Sequence, residues 1–156
     1  MNVEIQKIIG SMQEVLNGEP WYGKSFHNLL AEINPDIVYT KIGDNSHSLI
    51  DLIYHMVTWS DFTKQRLQKD KSLDLSTFDK LDWRQTAAIS HTWNNGISEF
   101  TASTNAIIEI LKTCTDDLLE EKVDYRDYNF RVLLNGLYQH NIYHIGQIAF
   151  LNKALS

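Results

Sequence analysis

Proline and glycine, the residues that interrupt helices, are scarce in this sequence: two prolines and seven glycines occur among 156 residues. The segments between them carry apolar residues at every third or fourth position, which is the spacing of one face of an α-helix. No segment alternates apolar and polar residues for long enough to predict a strand. The sequence therefore predicts an all-α fold of four main helices around one core. The predicted helical segments are 3–16, continued over 21–33 after a break at Gly18–Pro20, then 45–70, 83–113 and 129–153.

Polar residues at the starts of these segments indicate where helices begin. Asp44, Asn45 and Ser46 can cap the second main helix, and Asp82 can cap the third, because a short polar side chain accepts hydrogen bonds from the free N–H groups of a first turn.

Gly146, inside the last predicted helix, is interpreted as a point where a neighbouring helix approaches closely. The length suits a single domain that spans residues 1–156.

Composition and charge exclude several functional classes. The formal net charge is −6, from 14 basic and 20 acidic residues, so the chain lacks the cationic surface that nucleic-acid binding requires. No apolar run approaches the roughly 20 residues of a membrane span. The N-terminal segment does not resemble a secretion signal, and the single cysteine, Cys114, cannot form an internal disulfide. These features predict a cytoplasmic protein without nucleic-acid or membrane partners, in which Cys114 is a small core residue rather than a nucleophile.

Three histidines interrupt the predicted apolar faces of two helices. His140 and His144 lie four residues apart, hence on one face, in a row that is otherwise leucine and isoleucine. His55 occupies the inner row of the helix predicted over 45–70. At 1.5 Å per residue, His55 lies about 15 Å from one end of its helix and about 22 Å from the other, and His140 and His144 lie about 16 and 22 Å from the start of theirs. The depths match whether the helices run parallel or antiparallel.

Imidazoles at core positions need partners for their nitrogens, because burying an unsatisfied polar group is costly. Three at one depth predict a site for one divalent metal ion, and imidazole nitrogen suits zinc, nickel, iron or copper better than magnesium or calcium. An all-histidine site should lose its metal below about pH 6, near the ordinary histidine pKa. The alternative is a set of core histidines that are satisfied by hydrogen bonds alone. The HExxH pattern of zinc proteases is absent, because Asn141 follows His140.

Residues around the histidines have less specific interpretations. Gln147, one turn beyond His144, is either a hydrogen-bond donor to a ligand or a polar end to the apolar row. Trp59 is expected in the core, where it could also form a wall of the metal pocket. His47 is expected near the N-terminus of its helix, with a role beside the metal as the alternative. The remaining histidines, His27 and His91, are interpreted as surface or structural residues.

Several segments resemble a known family, the DinB-like (DinB/YfiT) superfamily. They are HSLIDLIYHMVTW (47–59), GLYQHNIYHIGQIAFLNKAL (136–155), EPWYGKSFHNLLAEI (19–33) and FDKLDW (78–83). The resemblance spans nearly the whole chain and is sharpest in the HxxxHxGQI run from His140 to Ile148. It implies a four-helix bundle with a long crossover after the second helix, and a metal triad that corresponds to His55, His140 and His144. Zinc or nickel is the usual metal of the family, and some relatives are thiol-dependent transferases or isomerases.

Three functional hypotheses follow from a three-histidine site. Three neutral imidazoles leave a divalent ion its full charge and at least one open position, as in catalytic zinc sites. Such an ion could activate a water molecule or hold a thiol as thiolate. No carboxylate lies at an obvious spacing to act as general base, which favours the thiol. The favoured hypothesis is a metal-dependent S-transferase that uses a low-molecular-weight thiol; the alternatives are a metal-dependent hydrolase and a non-catalytic metal-binding or stress-response domain. The sequence is compatible with a homodimer.

Overall fold

A computed structural model, which describes residues 2–156, contains six α-helices in these residues, in agreement with the helical spacing of the sequence. The four longest pack into a bundle in which both α1 and α3 contact α5 and α6. No strand occurs within the described residues, and Lys122 and Asn129 form a single antiparallel bridge. The all-α prediction is confirmed, and the long connection after the second long helix is residues 68–92. The helices are α1 (Val3–Asn17), α2 (Phe26–Leu30), α3 (Leu49–Leu67), α4 (Leu75–Leu81), α5 (Trp93–Lys112) and α6 (Phe130–Leu155), with short 3₁₀ helices at Pro35–Ile37 and Asp116–Glu120.

Apolar side chains on the inner faces of the four long helices form the core. On α1, all the positions that the spacing selects are buried, and burial of one such side chain contributes about 1.5–3 kcal/mol. The buried residues of α1 are Ile5, Ile8, Ile9, Met12, Val15 and Leu16.

None of the helices among residues 2–156 combines the length and the apolar character that a bilayer crossing requires.

The helix that carries His55 begins later than predicted. The Ser48 hydroxyl accepts a hydrogen bond from the backbone N–H of Asp51 at 3.3 Å, and the Asp51 carboxylate accepts one from the backbone N–H of Ser48 at 3.0 Å. This reciprocal pair satisfies two otherwise free donors of the first turn, which is why α3 begins at Leu49. The predicted caps at 44–46 lie in the preceding turn, and His47 therefore precedes the helix.

The helix predicted over 21–33 is mostly wrong, since only Phe26–Leu30 is α-helical there. The chain first makes a turn in which the N–H of Gly23 donates to the carbonyl of Pro20 at 3.1 Å. Gly23 has a φ of 145°, a conformation that a residue with a side chain rarely adopts. The turn leaves Trp21, which the spacing placed on an apolar face, fully exposed.

The third long helix begins ten residues later than predicted, at Trp93 rather than at residue 83. Thr92 caps it, because its hydroxyl accepts a hydrogen bond from the N–H of Asn95 at 3.2 Å. Residues 83–92 are irregular, and Ile89, which the spacing placed in the apolar row, is 94% exposed. Asp82 is therefore not the cap of this helix.

Close helix packing occurs at Gly96 and not at Gly146. A Cβ atom on Gly96 would lie 2.9 Å from Cγ2 of Ile53 and 3.2 Å from Cε2 of Tyr54, so α5 approaches α3 without room for a side chain. A Cβ atom on Gly146 would meet nothing within 4 Å. The interpretation of Gly146 as a contact glycine is therefore wrong.

We expect Gly96→Ala to destabilise the protein by about 1–2 kcal/mol, because the branched side chain of Ile53 must shift to admit the methyl group. Gly146→Ala is the matched control: it should be neutral or stabilise by up to about 1 kcal/mol, since alanine favours helices and meets no neighbour there. Urea denaturation of the three proteins measures both effects. A Gly96→Ala protein as stable as Gly146→Ala would contradict the close approach.

Candidate metal centre

The helices α3 and α6 bring the three predicted histidines together. Nε2 of His140 lies 2.9 Å from Nε2 of His55 and 3.1 Å from Nε2 of His144. One ring nitrogen from each residue lies within 4.8 Å of the other two. His55 and His144 are buried and His140 is half-buried, so the cluster lies inside the bundle with one ring reaching its surface.

Hydrogen bonds at Nδ1 orient two of the three rings. Nδ1 of His55 lies 2.5 Å from Oδ1 of Asp82, and Nδ1 of His144 lies 2.6 Å from Oε1 of Gln147. Both oxygens accept, so each Nδ1 carries the proton, and each Nε2 of a neutral ring presents its lone pair to the cluster. Nδ1 of His140 is buried without a hydrogen-bond partner. Gln147 thus contacts a predicted ligand, but as an acceptor.

Asp82 is the residue of this site that sequence reasoning placed elsewhere. It lies at the C-terminal end of α4, where its Oδ1 accepts from the indole N–H of Trp59 at 2.8 Å as well as from His55. The carboxylate contacts the edge of the His55 ring that carries Nδ1, so it orients the ring without facing the Nε2 cluster. The sequence signal that could have pointed to Asp82 is its place in the FDKLDW segment, one of the segments that resemble the DinB-like family.

Trp83, the next residue, covers His55. The Trp83 ring stacks on His55 with 3.8 Å between centroids and on His47 with 3.7 Å, and the planes lie within 7° of parallel. The indole is therefore held between the two imidazoles. His47 lies just before α3, near the N-terminus of the helix as expected, and contacts the cluster only through this stack.

Burial keeps the three histidines neutral. It lowers the pKa of His55 to about 4, against the opposing effect of the Asp82 carboxylate. Burial, together with the neighbouring His144 and His55, lowers the pKa of His140 to about 4. The pKa of His144 is also lowered by burial. Near pH 7 the cluster therefore offers neutral imidazoles, the form that binds metals.

The donor set fits a divalent transition-metal ion. The lone pairs of His55 and His144 point at the same nitrogen of His140, and one proton on that nitrogen cannot make a good hydrogen bond to both. A tetrahedral ion about 2.1 Å from each nitrogen sets the nitrogens about 3.4 Å apart. The cluster brackets this value, with two pairs at 2.9 and 3.1 Å and all three nitrogens within 4.8 Å of one another. Imidazole nitrogen is a ligand for zinc, nickel, copper and iron. This group of three histidines could therefore hold one such ion.

Two cavities flank the cluster. One of about 250 Å³ lies between α3 and α6 and has His140, Trp59 and Thr63 in its lining. The other, of about 530 Å³, lies on the side of His47 and Gln147. Trp59, predicted in the core with a possible place in the pocket wall, is half-buried and does line the first cavity.

The other predicted structural residues lie apart from this cluster. The ring of His27 lies within hydrogen-bond distance of the Thr101 hydroxyl, with 3.3 Å between Nε2 and Oγ1. His91 accepts a hydrogen bond from the backbone N–H of Ala87 at 3.1 Å. Cys114 is half-buried and donates from its sulfur to the carbonyl of Ile110. Each of these contacts supports a local structural role.

Asp82→Asn should weaken metal binding by about 10- to 100-fold, because the charged acceptor that orients His55 and raises its basicity is lost. Asp79→Asn is the matched control, since it removes the same charge from an exposed position of α4. Competition of each protein with a fluorescent zinc chelator measures the affinities. Equal affinities in the two variants would show that Asp82 does not act on the metal ligand.

Comparison with known families agrees with the resemblance seen in the sequence. The sequence profile of the DinB superfamily matches residues 23–148, a range that contains Asp82 and all three histidines of the cluster. No curated protein and no solved structure gives a significant match. The family match covers most of the 156 residues, and the helical bundle is the fold that the resemblance implied. The chain belongs to the DinB superfamily.

Proposed function

We propose that His55, His140 and His144 bind one divalent ion, zinc or nickel, through their Nε2 atoms, and that the protein is a metal-dependent transferase that acts on a low-molecular-weight thiol. The observation that supports the metal site is the convergence of three Nε2 atoms whose rings are kept neutral by burial. Asp82 and Gln147 fix the tautomers of two of these rings, so the lone pairs are directed before any ion arrives.

A divalent ion with three neutral ligands and an open position favours the thiolate form of a thiol. The residues of the chain then hold and shield the reactants: Trp83 covers His55, and Trp59 lines the cavity beside His140. In the transfer, the thiol loses its proton to solvent and its sulfur bonds to an electrophilic carbon. The bond from that carbon to its leaving group breaks, and the leaving group departs with the electron pair.

The position of Asp82 favours a transferase over a hydrolase. A hydrolase of this type needs a base that can take a proton from water near the ion. The carboxylate that contacts the cluster is bound to Nδ1 of His55 and to the indole of Trp59, on the edge of the His55 ring away from Nε2. It is therefore placed to orient a ligand, which a thiol-dependent reaction also requires.

Two measurements test the proposal in order. Elemental analysis of protein purified without a histidine tag should find close to one zinc or nickel ion per chain. The loaded protein is then assayed for conjugation of cysteine, glutathione and coenzyme A to monochlorobimane, with chelator-treated protein as the control. We expect a metal-dependent rate above the uncatalysed reaction with at least one thiol. Bound metal without any such rate would reject the transferase and favour a non-catalytic ion; absence of metal would reject the site.

A further inference from the structure

The loop that precedes α6 is a short hairpin with an arginine at its tip. The backbone N–H of Val123 donates to the carbonyl of Tyr128 at 2.9 Å, and the N–H of Arg126 closes a turn onto the carbonyl of Val123 at 3.2 Å. Tyr125 in this turn has a φ of 65°, which is uncommon for a residue with a bulky side chain. The paired backbone gives Arg126 a defined position next to the first cavity.

The guanidinium of Arg126 lies against three aromatic rings of that cavity. Its Cζ atom is 5.6 Å from the ring centroid of Trp59, 5.5 Å from that of Phe62 and 5.8 Å from that of Tyr128. All three rings belong to the cavity of about 250 Å³ that His140 also lines. Arg126 therefore lies next to the aromatic residues that line the cavity beside the proposed metal site, although it does not line the cavity itself.

This arginine has no carboxylate partner among residues 2–156, although the chain carries 20 acidic residues. The neighbouring carboxylates are directed elsewhere, since Asp124 pairs with Lys71 at 3.5 Å and Asp127 with Lys122 at 3.6 Å. Nε of Arg126 is buried and makes no hydrogen bond. A half-buried arginine that has no ion-pair partner in the described part of the chain, in a protein of net charge −6, is suited to an anionic ligand.

The rest of the cavity is mostly apolar. Leu133 and Leu137 line it from α6, and Phe62 lines it from α3. Gly136 also lines it, and a Cβ atom there would meet nothing within 4 Å, so this glycine leaves the groove open. Eight residues of helix separate Val132 from His140, which corresponds to about 12 Å along the groove.

We propose that this groove binds a small molecule with an apolar body and a carboxylate, and that Arg126 binds the carboxylate. The apolar body lies against Phe62, Leu133 and Leu137, and the opposite end of the molecule reaches His140. That this end meets a metal ion rests on the proposed function; the recognition of the carboxylate by Arg126 does not. The inference thus adds a substrate class, small apolar carboxylates, to the proposed reaction.

The test uses chelator-treated full-length protein and 4-phenylbutyrate as the probe, with isothermal titration calorimetry as the measurement. Without metal, the carboxylate cannot gain affinity by binding an ion. We expect 4-phenylbutyrate to bind about 10-fold or more tightly than its neutral analogue 4-phenylbutyramide, since a hydrogen-bonded charge pair contributes this much. Arg126→Gln should reduce the affinity for 4-phenylbutyrate to that for the amide. Lys122→Gln, which removes the same charge from the same loop, should leave it unchanged.

A second variant tests the groove independently of the cation. Gly136→Leu places a side chain in the open groove and should abolish binding of both probes without loss of helicity by circular dichroism. Equal affinity for acid and amide, full affinity in Arg126→Gln, or no binding to the wild-type protein would each overturn the inference. Arg126-dependent binding without any metal-dependent activity would support the carboxylate site and reject only the proposed function. Metal-dependent activity without such binding would support the proposed function and reject only the carboxylate site.

Discussion

His144→Ala is expected to lower metal affinity by more than about 100-fold while the protein remains folded. Loss of a partner that only orients a ligand costs about 10- to 100-fold, and loss of the ligand itself should cost more. The fold should survive because the core is built from apolar side chains of all four long helices, and each fully buried side chain contributes about 1.5–3 kcal/mol without the ion. Metal titration and thermal melting by circular dichroism measure the two effects.

The control for this variant is His27→Ala, which removes a histidine outside the cluster and should keep wild-type affinity. The melting curve distinguishes the two roles of the ion. A His144→Ala protein that is unfolded at room temperature would show that the ion supports the fold, as in small zinc-dependent domains, and would contradict a catalytic site. A folded variant without metal is the result expected of a bundle whose ion serves chemistry.

Metal should remain bound at pH 6 and leave only as the pH approaches about 4. Protons compete with the ion below the pKa that the ligands have in the folded metal-free site. Burial lowers the pKa of His55 and of His140 from 6.5 to about 4, so protonation of these rings, and with it the loss of metal, moves to lower pH. The sequence-based expectation of loss below about pH 6 assumed the ordinary histidine value.

Dialysis of the loaded protein at pH 7, 6, 5 and 4, followed by elemental analysis, measures this release. Circular dichroism at each pH confirms that the helices persist, so that release is not a consequence of unfolding. Loss of half the metal near pH 6.5 would contradict the effect of burial. Near pH 4 His55 and His140 are half protonated in the metal-free site, so protons begin to compete with the ion there and not at pH 6.

Local periodicity explains why the histidine cluster could be predicted. His140 and His144 interrupt a regular apolar row, and His55 does the same in a helix whose inner face is clear from its spacing. Both helices exist, with α3 shorter at each end than predicted, and the cluster lies inside the bundle. The sequence within a long helix determines which of its positions face inward. Composition and spacing were therefore enough to predict that the three histidines lie inside the bundle.

The residues that the sequence did not place belong to irregular segments. Asp82 and Trp83 lie directly after α4, where the irregular stretch begins, and their contacts with His55 depend on how residues 68–92 fold back across α3. Arg126 reaches the groove because a hairpin without apolar alternation turns it inward. No periodic pattern encodes such contacts, since each depends on a backbone path set by distant packing.

The indole stacked on His55 also gives the protein an optical property. Trp83 is in face-to-face contact with a proposed ligand, so its excited state lies within range of electron transfer to an ion in the cluster. Nickel or copper would quench its emission, whereas zinc, with a filled d shell, would mainly shift it. The fully exposed Trp21 lies outside the cluster and supplies a constant background, whereas Trp59, which lines the cavity beside His140, responds together with Trp83. The chain thus carries its own fluorescent reporter of which metal it holds.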